Sequence, residues 1–225
     1  MSAQIAELFR ILLLTVGALF PIVNPLGNAP IFLLLTRDFS SGLREVFSRK
    51  IALNSFVLLV VSILIGTHIL AFFGISLPVV QVGGGLLVIA NGWSLLNRRD
   101  HEEAKHRKEN PPNPVDVSSR AFYPLTLPLT VGPGSISVAI TVGANRPQAA
   151  EFAWTTWAAE LLGPAIIALT IYLSYRFAER LGRALGDAGM NVVLRLSSFI
   201  LVCIGVQIVW NGVSALVHSL ALAQP

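Results

Sequence analysis

The stretch Pro21-Ile-Val-Asn-Pro-Leu-Gly-Asn-Ala-Pro30 interrupts an apolar segment that runs from about Leu8 to Thr36. A second stretch, Pro124-Leu-Thr-Leu-Pro-Leu-Thr-Val-Gly-Pro-Gly-Ser135, interrupts another apolar segment. Both contain the spacing Pro-x-x-x-x-Pro. Proline removes a backbone donor and clashes with the preceding helical turn, so each pair predicts a broken helix. Broken backbone at membrane depth is tolerated only inside protein or along a cavity.

The composition indicates an integral membrane protein. Of the 225 residues, 54% are hydrophobic and only 12% are charged, and the mean hydropathy is +0.70. Soluble domains carry about 25% charged residues. We therefore expect the lipid bilayer to be the main partner of this chain.

The predicted fold is all-α, with six transmembrane helices. A membrane helix needs about 20 apolar residues. The apolar segments run roughly over Leu8–Thr36, Ile51–Phe73, Leu77–Leu96, Ala121–Val142, Phe152–Tyr175 and Leu194–Val217.

The basic residues lie almost entirely in alternate linkers. Fourteen of the 16 lysines and arginines fall between segments 1 and 2, 3 and 4, or 5 and 6, and only Arg10 and Arg146 fall on the other side. Basic loops stay in the cytoplasm, so both termini are predicted to lie outside. The net charge of +4 is therefore a topology signal, and we expect no nucleic acid partner.

Aromatic side chains agree with this orientation, since Trp and Tyr gather at both membrane interfaces. The outer ends carry Trp154, Trp157 and Trp210, and the inner ends carry Trp93, Tyr123, Tyr172 and Tyr175.

Segments 1–3 and 4–6 are interpreted as two copies of one unit. Pro25 and Pro30 match Pro128 and Pro133 at an offset of 103 residues. Because a three-span unit ends on the opposite side from its start, the second copy must be inverted, as in many transporters. The predicted division is repeat 1 over residues 1–96, a cytosolic connecting loop over 97–120, and repeat 2 over 121–225.

The two breaks predict a binding site for a small zwitterion. Asn24 before Pro25 is a helix cap followed by a first-turn proline, and Asn28 could cap a half-helix after Pro30. Inverted copies would bring two helix N-termini together, each with roughly half a positive charge for a carboxylate. The alternative is that the prolines only kink two helices, and the Asn and Ser side chains repair the backbone. The predicted substrate-binding residues are Asn24, Pro25, Gly27, Asn28, Pro30, Thr130, Gly132, Pro133, Gly134 and Ser135.

Glu160 is the only acid well inside a predicted span. A charge there is costly and by default functional, so Glu160 is predicted to bind a substrate ammonium or carry a coupling proton. The alternative is that it snorkels or faces water. Asn54, at the matching position of segment 2, is a second candidate for this role, with an interhelical hydrogen bond as its alternative. Gly83-Gly84-Gly85 predicts close helix packing.

We expect neither an enzyme nor a cofactor. Ser135 has no histidine–acid partner near it in sequence, and no phosphate loop, zinc signature or dinucleotide fingerprint is present. His101 and His106 lie in the mixed-charge connecting loop, where we expect no metal site.

Three motifs, in order, resemble those of the MarC family. They are Asn24-Pro-Leu-Gly-Asn-Ala-Pro-Ile-Phe-Leu-Leu-Leu-Thr36, then Phe73-Gly-Ile-Ser-Leu-Pro78 with Gly83-Gly84-Gly85, then Tyr123-Pro-Leu-Thr-Leu-Pro-Leu-Thr-Val-Gly-Pro-Gly-Ser135. The resemblance implies six spans in the bacterial inner membrane. Because some members transport small neutral amino acids, it also implies substrates similar to glycine, alanine, serine or threonine. Thr130-Val131, Glu160 and the long connecting loop depart from the family pattern and leave substrate and coupling ion open.

The leading hypothesis is a secondary transporter that works by alternating access with proton or sodium coupling. The alternatives are a passive channel, a drug or metabolite efflux protein, and a membrane protein that transports nothing. The sequence leaves open a homo-oligomer, the transport direction, and whether the breaks are kinks or re-entrant hairpins.

Overall fold

The computed structural model describes residues 2–36, 39–97, 114–145 and 153–222, and within these ranges all regular structure is helical. The helices are α1 Ser2–Val23, α2 Pro25–Leu35, α3 Ser41–Phe72, α4 Leu77–Leu96, α5 Pro114–Arg120, α6 Pro133–Ala144, α7 Ala153–Arg176 and α8 Ala178–Leu222. A π-helical segment, Ala121–Thr130, joins α5 to the short turn before α6.

The described helices include five that are long and apolar enough to cross a membrane. A sixth span is completed when Val117–Thr130 and Pro133–Ala144, bent by 70° relative to each other, are counted together. The other spans are Gln4–Leu35, which combines α1 and α2, and Ser41–Phe72, Leu77–Leu96, Trp154–Arg176 and Ala188–Ala221. The described residues therefore confirm the predicted all-α membrane protein, with five spans, or six when the bent pair is included.

Two linkers that were predicted as loops are helical instead. α3 begins at Ser41, ten residues before the predicted span, because the Ser40 hydroxyl accepts a hydrogen bond from the Leu43 amide at 3.3 Å. α8 begins at Ala178 and is bent at Gly186, whose φ of +64° is left-handed. Such charged helix ends lack the apolar signal on which the predicted bounds rested.

The connecting loop 97–120 is partly helical, since α5 occupies its last seven residues. The two loop histidines and Arg146, on which two of the predictions rested, lie outside the described residues.

The first interruption consists of one residue. Asn24 adopts left-handed φ and ψ angles of 48° and 55°, and its Oδ1 accepts a hydrogen bond from the Gly27 amide at 3.2 Å. α2 then starts at Pro25 and continues through Pro30. The expected second helix start after Pro30, capped by Asn28, is therefore wrong. Pro25 is the first helical residue, where no amide is needed, whereas Pro30 is the sixth and leaves the Leu26 carbonyl without its usual helical donor.

The second interruption is longer. Tyr123 and Leu127 have extended backbone angles inside the π-helical segment, and α6 begins only at Pro133. Two hydroxyls replace missing backbone donors: Thr126 Oγ1 donates to the Ala121 carbonyl at 2.7 Å, and Thr130 Oγ1 to the Leu125 carbonyl at 2.6 Å. These bonds give the two carbonyls a donor, so the irregular backbone is tolerated at membrane depth.

α4 packs chiefly against α8, and the two helices run antiparallel. Glycines, which have no side chain, allow the two helix backbones to approach closely. A Cβ added to Gly85 would lie 2.8 Å from the Gly205 carbonyl oxygen, and one added to Gly212 would lie 2.7 Å from the Pro78 carbonyl oxygen. Gly84 packs against Ser137 of α6, whereas Gly83 faces open space. The prediction of close packing is thus confirmed for two of the three glycines.

The remaining helices pack around the interrupted segments. α1 and α2 lie along α7, with Thr15 against Gly163 and Phe32 against Tyr175. The π-helical segment and α6 lie along α3. Each interrupted segment therefore packs against a helix of the opposite half.

Candidate functional site

The two interruptions meet at Asn28. Its side chain is 4% exposed, and its amide nitrogen donates to the Val23 carbonyl at 2.9 Å and to the Leu129 carbonyl at 3.1 Å. One carbonyl ends α1 and the other belongs to the π-helical segment. A single amide thereby satisfies two backbone acceptors and ties the interrupted segments together.

A cavity of about 250 Å³ lies beside this junction. Its lining includes the N-terminal turn of α6, where Pro133 has no amide hydrogen and the next amides precede the first intrahelical bond. Helix N-termini attract anions through these free N–H groups and the helix dipole. The lining residues are Ile22, Leu87, Val88, Asn91, Pro128, Leu129, Thr130, Gly132, Pro133, Gly134, Ser135 and Leu201.

Three polar side chains reach this cavity, and two of them have spare hydrogen-bonding capacity. The Thr130 hydroxyl is already engaged by the Leu125 carbonyl and by the Tyr175 hydroxyl, which lies 2.8 Å away. The amide of Asn91 and the hydroxyl of Ser135 make no side-chain hydrogen bond with the part of the chain that the structure describes. These two groups can therefore bind a polar ligand without breaking an existing bond.

A larger cavity of about 520 Å³ lies on the side of the protein that holds the start of α1. We call it the vestibule. Ile22 lines both the vestibule and the cavity beside the interruptions, so this one side chain lies between them. The vestibule is lined by Arg10, Ile11, Leu14, Thr15, Gly17, Ala18, Pro21, Ile22, Gln81, Val138, Thr141, Val142, Asn145, Ile204, Ile208 and Asn211.

A buried aromatic pair lies next to Thr130, one of the residues that line the small cavity. Tyr175 is 1% exposed, and its ring stacks on Phe32 with centroids 4.5 Å apart and planes 6° from parallel. The assignment of Tyr175 to an interfacial belt was wrong, since its hydroxyl bonds Thr130 inside the protein rather than lipid headgroups or water. The four tryptophans and Tyr123, in contrast, are all exposed.

The predicted substrate-binding residues divide into two groups. Five of them line the small cavity, namely Thr130, Gly132, Pro133, Gly134 and Ser135. The five from the first interruption line neither cavity, namely Asn24, Pro25, Gly27, Asn28 and Pro30. Since the Asn24 side chain itself caps α2, only the α6 N-terminus is presented to the cavity, and the expected convergence of two helix N-termini is not found.

Glu160 and Asn54 lie in separate places. Glu160 is 3% exposed, which excludes the alternative in which it snorkels into water, and it lines neither cavity. It lies one turn before Gly163, which packs against Thr15 of the vestibule wall. Asn54 Nδ2 is 3.4 Å from Thr126 Oγ1, so it makes the interhelical contact that was its alternative role.

Sequence reasoning missed two residues of this site. Asn91 is a polar residue in an apolar segment, the same signal that had singled out Asn54, but it was not put forward as a site residue. Tyr175 gave no usable signal, because a tyrosine near the end of a span is usually interfacial.

One protein-family model covers nearly the whole chain. The family model described as "MarC family integral membrane protein" matches residues 9–217. The chain belongs to the MarC family. This membership, together with the apolar helices, makes it a multi-pass membrane protein.

Curated relatives span nearly the full length of the chain. The UPF0056 inner membrane protein MarC of Escherichia coli O1:K1 is 32% identical over 218 residues, which cover 95% of this chain and 98% of the relative. The corresponding protein of Escherichia coli strain K12 is 31% identical over the same length. A UPF0056 membrane protein of Archaeoglobus fulgidus is 31% identical over 204 residues, covering 91% of this chain and 92% of the relative. No solved structure matches this chain.

Proposed function

We propose that this MarC family protein is a secondary transporter of small neutral amino acids in the bacterial inner membrane, and not an enzyme. The observation that carries the proposal is the cavity of about 250 Å³ beside the two interruptions. No charged side chain lines it. Pockets for drug-sized ligands occupy about 300–1,000 Å³, so this cavity fits only a small substrate.

The cavity offers complementary partners to a zwitterion. The first amides of α6 and the Ser135 hydroxyl suit a carboxylate, since a helix N-terminus binds anions without a buried cation. The Asn91 side-chain oxygen suits an ammonium group. Apolar neighbours such as Leu87 and Val88 leave room for a short side chain, as in glycine, alanine, serine or threonine.

Two inverted halves, residues 1–96 and 121–225, supply the framework for transport in this proposal. The packing pattern supports this division. Segment 1 packs on segment 5 as segment 4 packs on segment 2, and the third segments, α4 and α8, pack antiparallel on each other. Antiparallel counterparts are what inverted repeats of three spans require, and such repeats are a transporter architecture.

Alternating access follows from the two sides of the cavity. The vestibule opens beside the N-terminal helix, and the charge pattern assigns that side, with both termini, to the exterior. The stacked Phe32 and Tyr175, next to the cavity-lining Thr130, are the proposed gate on the cytosolic side. In this proposal the structure is the outward-facing state, and a proton or sodium gradient drives the change to the inward-facing one. Buried Glu160, one turn from the vestibule wall, is the proposed proton carrier.

Substitution of the two free polar side chains tests the proposed site. Asn91→Ala and Ser135→Ala should each raise the KM for alanine uptake into proteoliposomes about tenfold, because each removes one hydrogen bond to a charged ligand group. Ser76→Ala, which removes a hydroxyl that makes no capping bond at the start of α4, is the matched control and should transport normally. Unchanged kinetics in both cavity variants would show that substrate binds elsewhere.

A further inference from the structure

A third cavity, of about 350 Å³, lies at the opposite end of the protein from the vestibule. It is formed where α7 ends, α8 begins and α3 begins. We call it the arginine cavity, because four arginines line it against two glutamates. Its lining consists of Ser41, Gly42, Arg44, Glu45, Arg176, Phe177, Glu179, Arg180 and Arg183.

Both glutamates form ion pairs with arginines of the cavity, and Glu45 also pairs with Arg49, which does not line it. Arg44 Nη1 lies 2.8 Å from Glu179 Oε2, and Arg176 forms an ion pair with Glu45. Arg180 and Arg183 form no ion pair with any residue that the structure describes. They stand three residues apart on α8, hence on one face of the helix. The cavity therefore carries an excess of positive charge that the described residues leave uncompensated.

Further hydrogen-bond donors also indicate a site for an anion. The Nε of Arg44 is buried and has no hydrogen-bond acceptor among the described residues, although the terminal nitrogen Nη2 donates to the Phe39 carbonyl at 2.9 Å. Ser41 and Gly42 are the first two residues of α3, so their amides have no intrahelical acceptor. Guanidinium groups and helix N-terminal amides are the donors that proteins use for phosphate.

We propose that the arginine cavity binds the phosphate of an anionic membrane lipid. The cavity lies at the ends of three membrane-spanning helices, on the side that the charge pattern assigns to the cytoplasm. Phe177 lines it and is 39% exposed, beside an Arg180 guanidinium 5.2 Å from its ring centroid. An apolar ring next to a cationic pocket at headgroup depth matches a lipid with a charged headgroup and acyl chains.

Lipid binding to the purified full chain tests this inference without any transport measurement. Native mass spectrometry and thermal unfolding in detergent would compare phosphatidylglycerol, phosphatidylcholine and soluble sn-glycerol 3-phosphate. We expect phosphatidylglycerol to bind at least about tenfold more tightly than phosphatidylcholine, because both offer a phosphate but the cationic choline group would be repelled by the arginines. Phosphatidylglycerol should also raise the Tm. Equal binding of the two lipids would overturn the inference.

Variants then locate the binding. Arg180→Gln with Arg183→Gln should abolish the preference for phosphatidylglycerol, and both side chains are exposed, so the fold should persist. Arg195→Gln is the control, since this exposed α8 arginine does not line the cavity, and it should keep the preference. A double variant that still prefers phosphatidylglycerol would contradict the site. If sn-glycerol 3-phosphate bound as tightly as the lipid, the membrane source would be wrong and the ligand would be a soluble phosphate.

Discussion

At the scale of single residues, the interrupted backbone depends on a few buried polar side chains. Asn24 caps α2, the hydroxyls of Thr126 and Thr130 take the place of missing backbone donors, and Asn28 bridges the two interruptions. In lipid an unsatisfied carbonyl costs several kcal/mol, roughly, so these bonds decide whether the irregular segments can exist at all. Asn28 therefore acts through the backbone and not by contact with the cavity.

Replacement of Asn28 by aspartate should destabilise the protein. The carboxylate cannot donate, so the Val23 and Leu129 carbonyls would each lose a partner and face a negative charge instead. We expect the Tm in detergent to fall by about 5 °C or more, since each lost buried bond costs about 1–3 kcal/mol.

Asn97→Asp is the matched control for this change. The Asn97 side chain also donates to a backbone carbonyl, that of Trp93, but at an exposed helix end where water can replace it. Its Tm should stay within a degree or two of the wild type, about the effect of an ordinary surface substitution. Equal losses in the two variants would show that the Asn28 bridge contributes nothing special.

At the scale of helices, the sequence predicted the regular apolar spans well and the irregular parts poorly. The predicted span Leu77–Leu96 coincides with α4, because its apolar run starts directly after Ser76 and ends before charged residues. The Asn24 cap and the start of α2 at Pro25 were predicted correctly, but the second start expected after Pro30 is absent, since proline spacing alone does not say which proline begins a helix. The charged ends of α3 and α8 were missed, because hydropathy detects lipid contact and not helix.

The α4–α8 contact gives a prediction that compares adjacent glycines. Gly85→Ala would place a Cβ 2.8 Å from the Gly205 carbonyl oxygen and equally close to the Val209 amide nitrogen, so backbone must shift. Gly83→Ala meets nothing within 4 Å. We expect Gly85→Ala to lower the Tm, and Gly83→Ala to leave it unchanged or raise it, because alanine favours helix by about 1 kcal/mol over glycine. A stable Gly85→Ala protein would mean that α4 and α8 are less closely packed than described.

At the scale of the whole molecule, the two interrupted segments meet at the Asn28 side chain, and each packs against a helix of the opposite half. A proline match at a fixed offset predicted that the interruptions come together, and the inverted repeat behind that match stays a prediction. The sequence did not predict which side chains face the cavity. Asn91 reaches the cavity, and Tyr175 reaches its lining residue Thr130, through the packing of α4 and α7 on distant segments, and no local pattern encodes that packing.

The orientation of the molecule can be tested with single cysteines. In a Cys203→Ser background, His218→Cys near the C-terminal end of α8 should react with a membrane-impermeant maleimide in intact cells. Ser41→Cys at the start of α3 should react only after the membrane is opened, because the basic linkers predict that this end lies in the cytoplasm. Both side chains are exposed, so access is decided by sidedness. The reverse pattern would place the termini inside and make the vestibule cytoplasmic.

The most direct test of the central claim is the flux of labelled glycine, alanine, serine and threonine into proteoliposomes that contain the wild-type chain. The cavity beside the interruptions predicts saturable, stereoselective uptake of at least one of them, dependent on a proton or sodium gradient. Ile22→Trp should block this uptake where the cavity meets the vestibule, whereas Leu13→Trp, on the exposed face of the same helix, should not. Uptake that never saturates would indicate a passive channel. No uptake of any of the four by well-folded protein would contradict the assignment of this cavity to amino acid transport.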